Sequence, residues 1–210
     1  GIMVTLTVSR LLSKTLLRGV PSFFILELPP YRKPQLGRII IRSLLDRTLF
    51  VLGRAVVIAL PAGAITWILA NISIGGLSIL GHAAASLNPF ARLLGMDGFI
   101  LMAFILGLPA NEIVLPIMLM SYVSAGSMIE PDSLAALHNI LVVQHGWTWL
   151  TALSVMLFSL LHYPCGTTLL TIFKETRSLK WTLIALLLPL AVAVLVTFTL
   201  NQATRLLGLV

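Results

Sequence analysis

The chain has 210 residues, 58% of them hydrophobic and 10% charged, with a formal net charge of +7 and a mean hydropathy of +1.03. A soluble domain carries about 25% charged residues, so an ordinary water-soluble fold is excluded and an integral membrane protein is expected. The basic residues stand at the ends of apolar runs, as juxtamembrane charges do, which argues for the lipid bilayer as partner and against nucleic acid.

Several apolar stretches approach the ~20 residues needed to cross a bilayer as a helix. In lipid the backbone polar groups must be satisfied internally, which leaves helices or a closed barrel. Long apolar runs, rather than ten-residue alternation, select helices. The expected fold class is therefore all-α: a polytopic helical membrane protein with Pro-broken or re-entrant helices. One cysteine, Cys165, excludes an intrachain disulfide.

Three segments are expected: 1–50, 51–177 and 178–210. Residues Gly1 to Leu12 are apolar but lack the charged start and the cleavage site of a signal peptide. They read as the second half of a membrane helix, so a fragment, or a product split from a larger chain, is expected. Pro29, Pro30 and Pro34 then forbid regular helix and favour an extended elbow. From Leu36 to Arg54, arginines 38, 42, 47 and 54 alternate with Ile39, Ile40, Leu44, Leu45 and Leu49. That pattern suits an amphipathic helix with its basic face toward anionic lipid, or the basic collar of the next span.

Val51 to Asn71 reads as a spanning helix, kinked at Pro61 and anchored by Trp67. In the weaker segment Ile74 to Leu94, Gly75-Gly76, Gly81-His82 and Asn88-Pro89 are expected to break the chain into short helices. Phe99 to Leu108 and Ile113 to Tyr122 are charge-free runs flanking Pro109-Ala110-Asn111-Glu112. Each run is on the order of 15–18 Å long as a helix, half a bilayer. The pair forms either a broken spanning helix or a re-entrant hairpin. Residues 125–146 read as a polar connection, with a helix start at Glu130-Pro131-Asp132-Ser133. A second break, His162-Tyr163-Pro164-Cys165-Gly166, interrupts Trp147 to Phe173, and Trp181 to Leu200 is a plain span kinked at Pro189.

Basic clusters at Arg32 to Arg54 and Lys174 to Lys180 belong on the cytoplasmic side. A crossing at 51–71 takes the chain outside. One further crossing plus one hairpin returns it, so 97–124 is assigned as the hairpin and 147–177 as the broken crossing.

A carboxylate at that depth costs roughly 2.5–3.5 kcal/mol on insertion scales and marks a functional site. Paired Pro-interrupted segments point to a transporter's midplane site. Glu112 and the Asn111 amide offer hard oxygen ligands and Cys165 a softer thiolate, a set suited to a divalent transition metal of intermediate softness. Pro109, Ala110, Ser121, His162, Pro164, Gly166, Thr167 and Thr168 are expected to line the path. Against this stand plainer readings: Glu112 at an interfacial turn or simply neutral and hydrogen-bonded, Cys165 as a small buried hydrophobe, Met102, Met118 and Met120 as core or lipid-facing residues, His82 as a packing or surface residue, and His138 and His145 as loop residues.

Glu27-Leu28-Pro29-Pro30-Tyr31-Arg32, with the Leu12 to Gly19 segment before it, resembles the membrane domain of the bacterial ferrous iron transport protein B family. Pro109-Ala110-Asn111-Glu112-Ile113-Val114, Tyr163-Pro164-Cys165, Lys174-Glu175-Thr176 and Lys180-Trp181 are similar to its second Gate repeat. The resemblance implies a Gate-type fold and Fe²⁺ uptake across the bacterial cytoplasmic (inner) membrane. It also implies an N-terminal GTP-binding domain and a first Gate repeat as partners, with GTP and Mg²⁺ bound only there. No Gly-x-x-x-x-Gly-Lys-[Ser/Thr] phosphate loop occurs in this sequence. No cofactor and no enzymatic activity are therefore expected of this chain, and a homo-oligomer is allowed. The alternatives are a Gate-type carrier of nucleosides or another small organic solute, and an intramembrane enzyme using Cys165 with His162. The last lacks a third orienting group.

Overall fold

The computed structural model describes residues 1–15, 37, 41, 48–123, 133–162 and 164–208. The Pro-rich elbow, most of the basic amphipathic segment, Glu130, Asp132 and Tyr163 lie outside the described residues. The chain forms two compact units, Gly1–Leu52 and Gly53–Val210. In the first, helix α1 (Ile2–Lys14) buries none of its residues, and Ile2, Met3, Leu6 and Leu11 form an exposed apolar surface that suits lipid.

Helix α2 (Phe50–Asn71) runs through Pro61 without a break. At 22 residues it is about 33 Å long, enough to cross a hydrocarbon core of ~30 Å. Val57, Leu60, Ile65 and Trp67 stand exposed along it. Gly75 and Gly76 then adopt φ of 64° and 88°, which a two-residue hairpin turn requires and glycine supplies without steric cost. They join the antiparallel strands β1 (Ser73–Ile74) and β2 (Leu77–Ser78).

Helix α3 (Ile79–Leu93) is continuous through both expected breaks, Gly81-His82 and Asn88-Pro89. Gly81 lies in the first turn, where the Ser78 hydroxyl accepts from its amide at 3.1 Å, so the capping bond offsets the glycine's entropic cost. The break comes later, at Leu94 to Asp97, where α3 and α4 (Gly98–Leu106) meet at 108°. Gly98 allows that sharp fold. A Cβ there would lie 1.9 Å from the Ala84 carbonyl oxygen.

Helices α4 and α5 (Val114–Val123) form an antiparallel hairpin. The Tyr122 hydroxyl donates to Asp97 at its open end, and the Phe99 and Tyr122 rings pack edge to face at 5.8 Å. A 3₁₀ turn, Asn111–Ile113, closes the other end. This hairpin is the most buried part of the described chain: Ile100, Phe104, Ile117, Met118 and Leu119 are all at 1% exposure or less. Met102 and Met120 are buried too, so the methionines fill core.

Residues 134–144, within the expected polar connection, form α6 (Leu134–His138), which begins where the helix start was expected, and a π-helical turn, Asn139–Gln144. The Ser133 hydroxyl accepts from the Ala136 amide and starts α6. Eight apolar residues in this stretch decide the outcome, whatever the acidic residues before it. Helices α7 (Trp149–Leu161) and α8 (Gly166–Thr176) share one axis region interrupted at His162 to Cys165, and α9 (Leu179–Leu206) follows. Leu190, Ala193 and Val194 of α9 and Phe158 of α7 pack on the hairpin core. Among the described residues, Val51–Asn71, Trp149–Thr176 and Leu179–Leu206 are long and apolar enough to cross a membrane. The fold is all-α and polytopic.

Candidate ion path at two helix breaks

The hairpin tip is built from local necessity. Pro109 has no amide to continue α4, and α4 ends at Leu106. Gly107 then brings the arms together: a Cβ there would sit 2.3 Å from Val114 Cγ2 and 2.9 Å from the Ala103 carbonyl. Ala110 is extended, at φ −153° and ψ 125°, and hands the chain to the Asn111–Ile113 turn. Pro116 falls in the first turn of α5, where its missing amide costs no hydrogen bond.

The second break meets this tip. The Gly166 amide donates to the Leu108 carbonyl at 2.7 Å. A Cβ on Gly166 would approach Leu108 Cδ2 at 3.4 Å and Ile58 Cγ2 at 3.2 Å, so the glycine keeps the two backbones close. Cys165 is the N-cap of α8. Its sulfur lies 3.1 Å from Thr167 Oγ1 and 3.2 Å from Thr168 Oγ1. Beside the junction an apolar cleft of about 420 Å³ is lined by Ile58, Leu108, Gly166, Leu169 and Phe173.

The structure thus joins Leu108-Pro109 to Cys165-Gly166, with Thr167 and Thr168 at the sulfur. Pro109 is buried, and Ala110 and Pro164 are half-buried beside the junction in sequence. Asn111 and Glu112 are exposed on the tip, and among the described residues no side-chain hydrogen bond or ion pair is formed by Glu112. His162 is buried and packs into the core. Its Nδ1 donates to the Ser159 carbonyl at 2.8 Å, and its ring packs on Phe104 at 5.2 Å. Ser121 is at the far end of α5, its hydroxyl donating to the Ile117 carbonyl, about 15 Å along the helix from the tip. Among the described residues, no three His, Cys, Asp or Glu side chains are grouped to hold a metal ion.

The open end of the hairpin carries residues that sequence reasoning passed over. Asp97 caps α4 by accepting from the Ile100 amide at 2.9 Å while it receives the Tyr122 hydroxyl. Trp147 Nε1 donates to that same hydroxyl at 3.1 Å, and His145 stacks on the Tyr122 ring at 4.0 Å. The pattern Asp97-Gly98 before an apolar run is an N-cap signal that was available. The pairing with Tyr122, across 25 residues, carried none.

Comparison with known proteins decides the family. Residues 52–179, more than half of the chain, match the Gate family model, described as "Nucleoside recognition". The chain belongs to the Gate family. Residues 1–46 before this Gate domain match the model described as "Ferrous iron transport protein B C terminus". A relative from Staphylococcus aureus (strain COL), named Fe(2+) transporter FeoB, is 30% identical over 213 residues, covering 98% of this chain and 30% of that protein. A relative of the same name from Synechocystis is 28% identical over 188 residues, covering 88% and 29%. One from Methanocaldococcus jannaschii is 25% identical over 221 residues, covering 99% and 31%. The chain therefore spans about 30% of the length of these relatives. No solved structure matches it significantly.

Proposed function

We propose that the chain forms part of a ferrous iron transporter of the bacterial inner membrane, and that Fe²⁺ passes the junction of the two helix breaks. The observation that carries this reading is the Gly166 to Leu108 backbone bond, which brings both Pro-broken segments to one place. Support comes also from relatives named Fe(2+) transporter FeoB along nearly the whole chain. Glu112 and Asn111 contribute oxygen ligands and Cys165 a thiolate. Thr167 and Thr168 orient the sulfur. The remaining ligands come from backbone carbonyls freed at the breaks, from water, or from the rest of the protein. Energy from GTP and Mg²⁺ enters through a separate domain. In the complete transporter, Glu112→Ala and Cys165→Ser should each abolish iron-dependent growth while the protein stays in the membrane. Uptake at the wild-type rate in both variants overturns the site.

A second reading rests on the description "Nucleoside recognition" attached to the Gate family model: a carrier of nucleosides. Competitive uptake separates the two. Fe²⁺ accumulation that an excess of nucleoside leaves unchanged supports iron, whereas saturable nucleoside uptake without Fe²⁺ uptake supports the carrier.

A further inference from the structure

Two cavities lie along the same four helices. The first, of about 280 Å³, is lined by Arg92 of α3, Asp97 at the cap of α4, His145, Thr148 and Thr151 around the start of α7, and Arg205 of α9. The second, of about 240 Å³, has an apolar lining: Leu87 and Phe90 of α3, Leu101 and Ile105 of α4, Phe158 of α7 and Val194 of α9. Phe90 and Ile105 are half-exposed, so this cavity opens on the molecule's surface. Along α7, Phe158 stands seven residues from Thr151, and along α9 Val194 stands seven residues from Asn201, which also lines the first cavity. The basic cavity therefore sits about 10 Å further along these helices than the apolar one. Trp149, exposed next to Thr148, marks the basic level as membrane interface.

Charge decides what the basic end accepts. Asp97 is the one described carboxylate in its lining, and its two oxygens are taken by the Ile100 amide and the Tyr122 hydroxyl. The negative end of α3 is closed as well: Asn201 Nδ2 donates to the Arg92 and Leu93 carbonyls, and Arg205 Nη2 to the Arg92 carbonyl at 3.2 Å. That last bond uses one of the five N–H donors of the Arg205 guanidinium. The lining thus holds two guanidinium charges against one engaged carboxylate, together with the positive, N-terminal end of α7. The Thr148 and Thr151 hydroxyls share one hydrogen bond at 3.2 Å, which leaves a second hydroxyl proton to donate. We infer that this groove binds an anionic phospholipid, its phosphate held by Arg92 and Arg205 and an acyl chain laid in the apolar cavity. Arginine forks pair with phosphate oxygens, and basic pockets between transmembrane helices take lipid head groups. A soluble anion would fill the first cavity and leave the second unused. A lipid uses both, because its phosphate and its acyl chain are offset along the membrane normal as the two cavities are.

The inference is independent of the cargo and is tested on the purified protein in detergent. Thermal unfolding is compared with added phosphatidylglycerol, with phosphatidylcholine of the same acyl chains, and with inorganic phosphate. Wild type should unfold on the order of 2–4 °C higher with phosphatidylglycerol than with either of the others, a saturating gain expected when a ligand binds only the folded state. Arg92 and Arg205 are exposed, so the double variant Arg92→Gln/Arg205→Gln should fold and lose that gain. Ile105→Trp keeps both charges but fills the apolar cavity, and should lose it too. Each variant's midpoint in detergent alone is its own baseline. Native mass spectrometry of wild type in an equimolar mixture of the two lipids reads the same site without any variant, and phosphatidylglycerol should be the lipid retained. Equal midpoints and equal retention of the two lipids overturn the assignment, as does a full gain in the double variant. A gain that inorganic phosphate reproduces, or that Ile105→Trp keeps in full, also overturns it, by showing an anion site with no place for a lipid tail.

Discussion

Two glycines at close approaches show how far single atoms decide this fold. At Gly98 the missing Cβ would meet backbone, the Ala84 carbonyl oxygen at 1.9 Å, which cannot rotate away. At Gly107 the nearest atom is Val114 Cγ2, the end of a side chain. Overpacking costs typically about 1–3 kcal/mol. Gly98→Ala should therefore reach or exceed the top of that range and Gly107→Ala fall within it, measured as the drop in unfolding midpoint in detergent. The reverse ranking contradicts the geometry. At Tyr122, removal of the hydroxyl leaves Asp97 and Trp147 Nε1 without it. Tyr122→Phe should cost about 1–3 kcal/mol, and a double-mutant cycle with Asp97→Asn should return a coupling above ~0.5 kcal/mol. A coupling near zero shows that the pair does not hold the hairpin.

Among the elements, the α4–α5 hairpin makes the sharpest prediction. With Cys165→Ser as background, cysteines at Phe99 and Tyr122, whose rings lie 5.8 Å apart, should be joined by a short bifunctional thiol reagent. Cysteines at Phe99 and Ile113, at opposite ends of the hairpin, should not. A straight helix from 98 to 123 would set Phe99 and Tyr122 about 34 Å apart, and neither pair would then be joined. The hairpin was legible in the sequence because two charge-free runs, each too short to cross, flank a proline and a carboxylate. The second break was legible at Pro164 for the same reason. What escaped were outcomes that depend on distant partners. Pro89 suggested a break, but α3 passes through it and turns only where Gly98 can pack on Ala84. The carbonyls ending α3 are satisfied by Asn201, 108 and 109 residues away, and nothing local to either segment announces that bond. The helix beginning at Leu134 was half legible: the helix-start signal at Glu130-Pro131-Asp132-Ser133 holds, with Ser133 as its cap, but attention to charge left the apolar stretch after it read as a polar connection.

For the molecule as a whole, sidedness is the open prediction. Trp149 to Thr176 spans 28 residues, which at 1.5 Å per residue is on the order of 40 Å, more than the hydrocarbon core. Its ends therefore belong on opposite faces. In a Cys165→Ser background, Gly146→Cys should react with a membrane-impermeant thiol reagent added to intact cells with a permeable outer layer. Ser178→Cys should react only after the inner membrane is opened. Labelling of both from one side removes the broken crossing.

The bond between the Gly166 amide and the Leu108 carbonyl also makes the resting junction self-occupied. The amide at the start of α8 is a natural seat for an anion and the carbonyl before Pro109 a natural seat for a cation, yet each is taken by the other. An ion that uses either group competes with the protein's own backbone and must first part the two segments. Occupancy and separation are then linked equilibria: the free energy of prising the tip from α8 is subtracted from the ion's affinity, and anything that loosens the tip raises it by the same factor. The hairpin is in this sense a tethered competitor, present at fixed effective concentration, and on the proposed path its release is the step that would admit the ion.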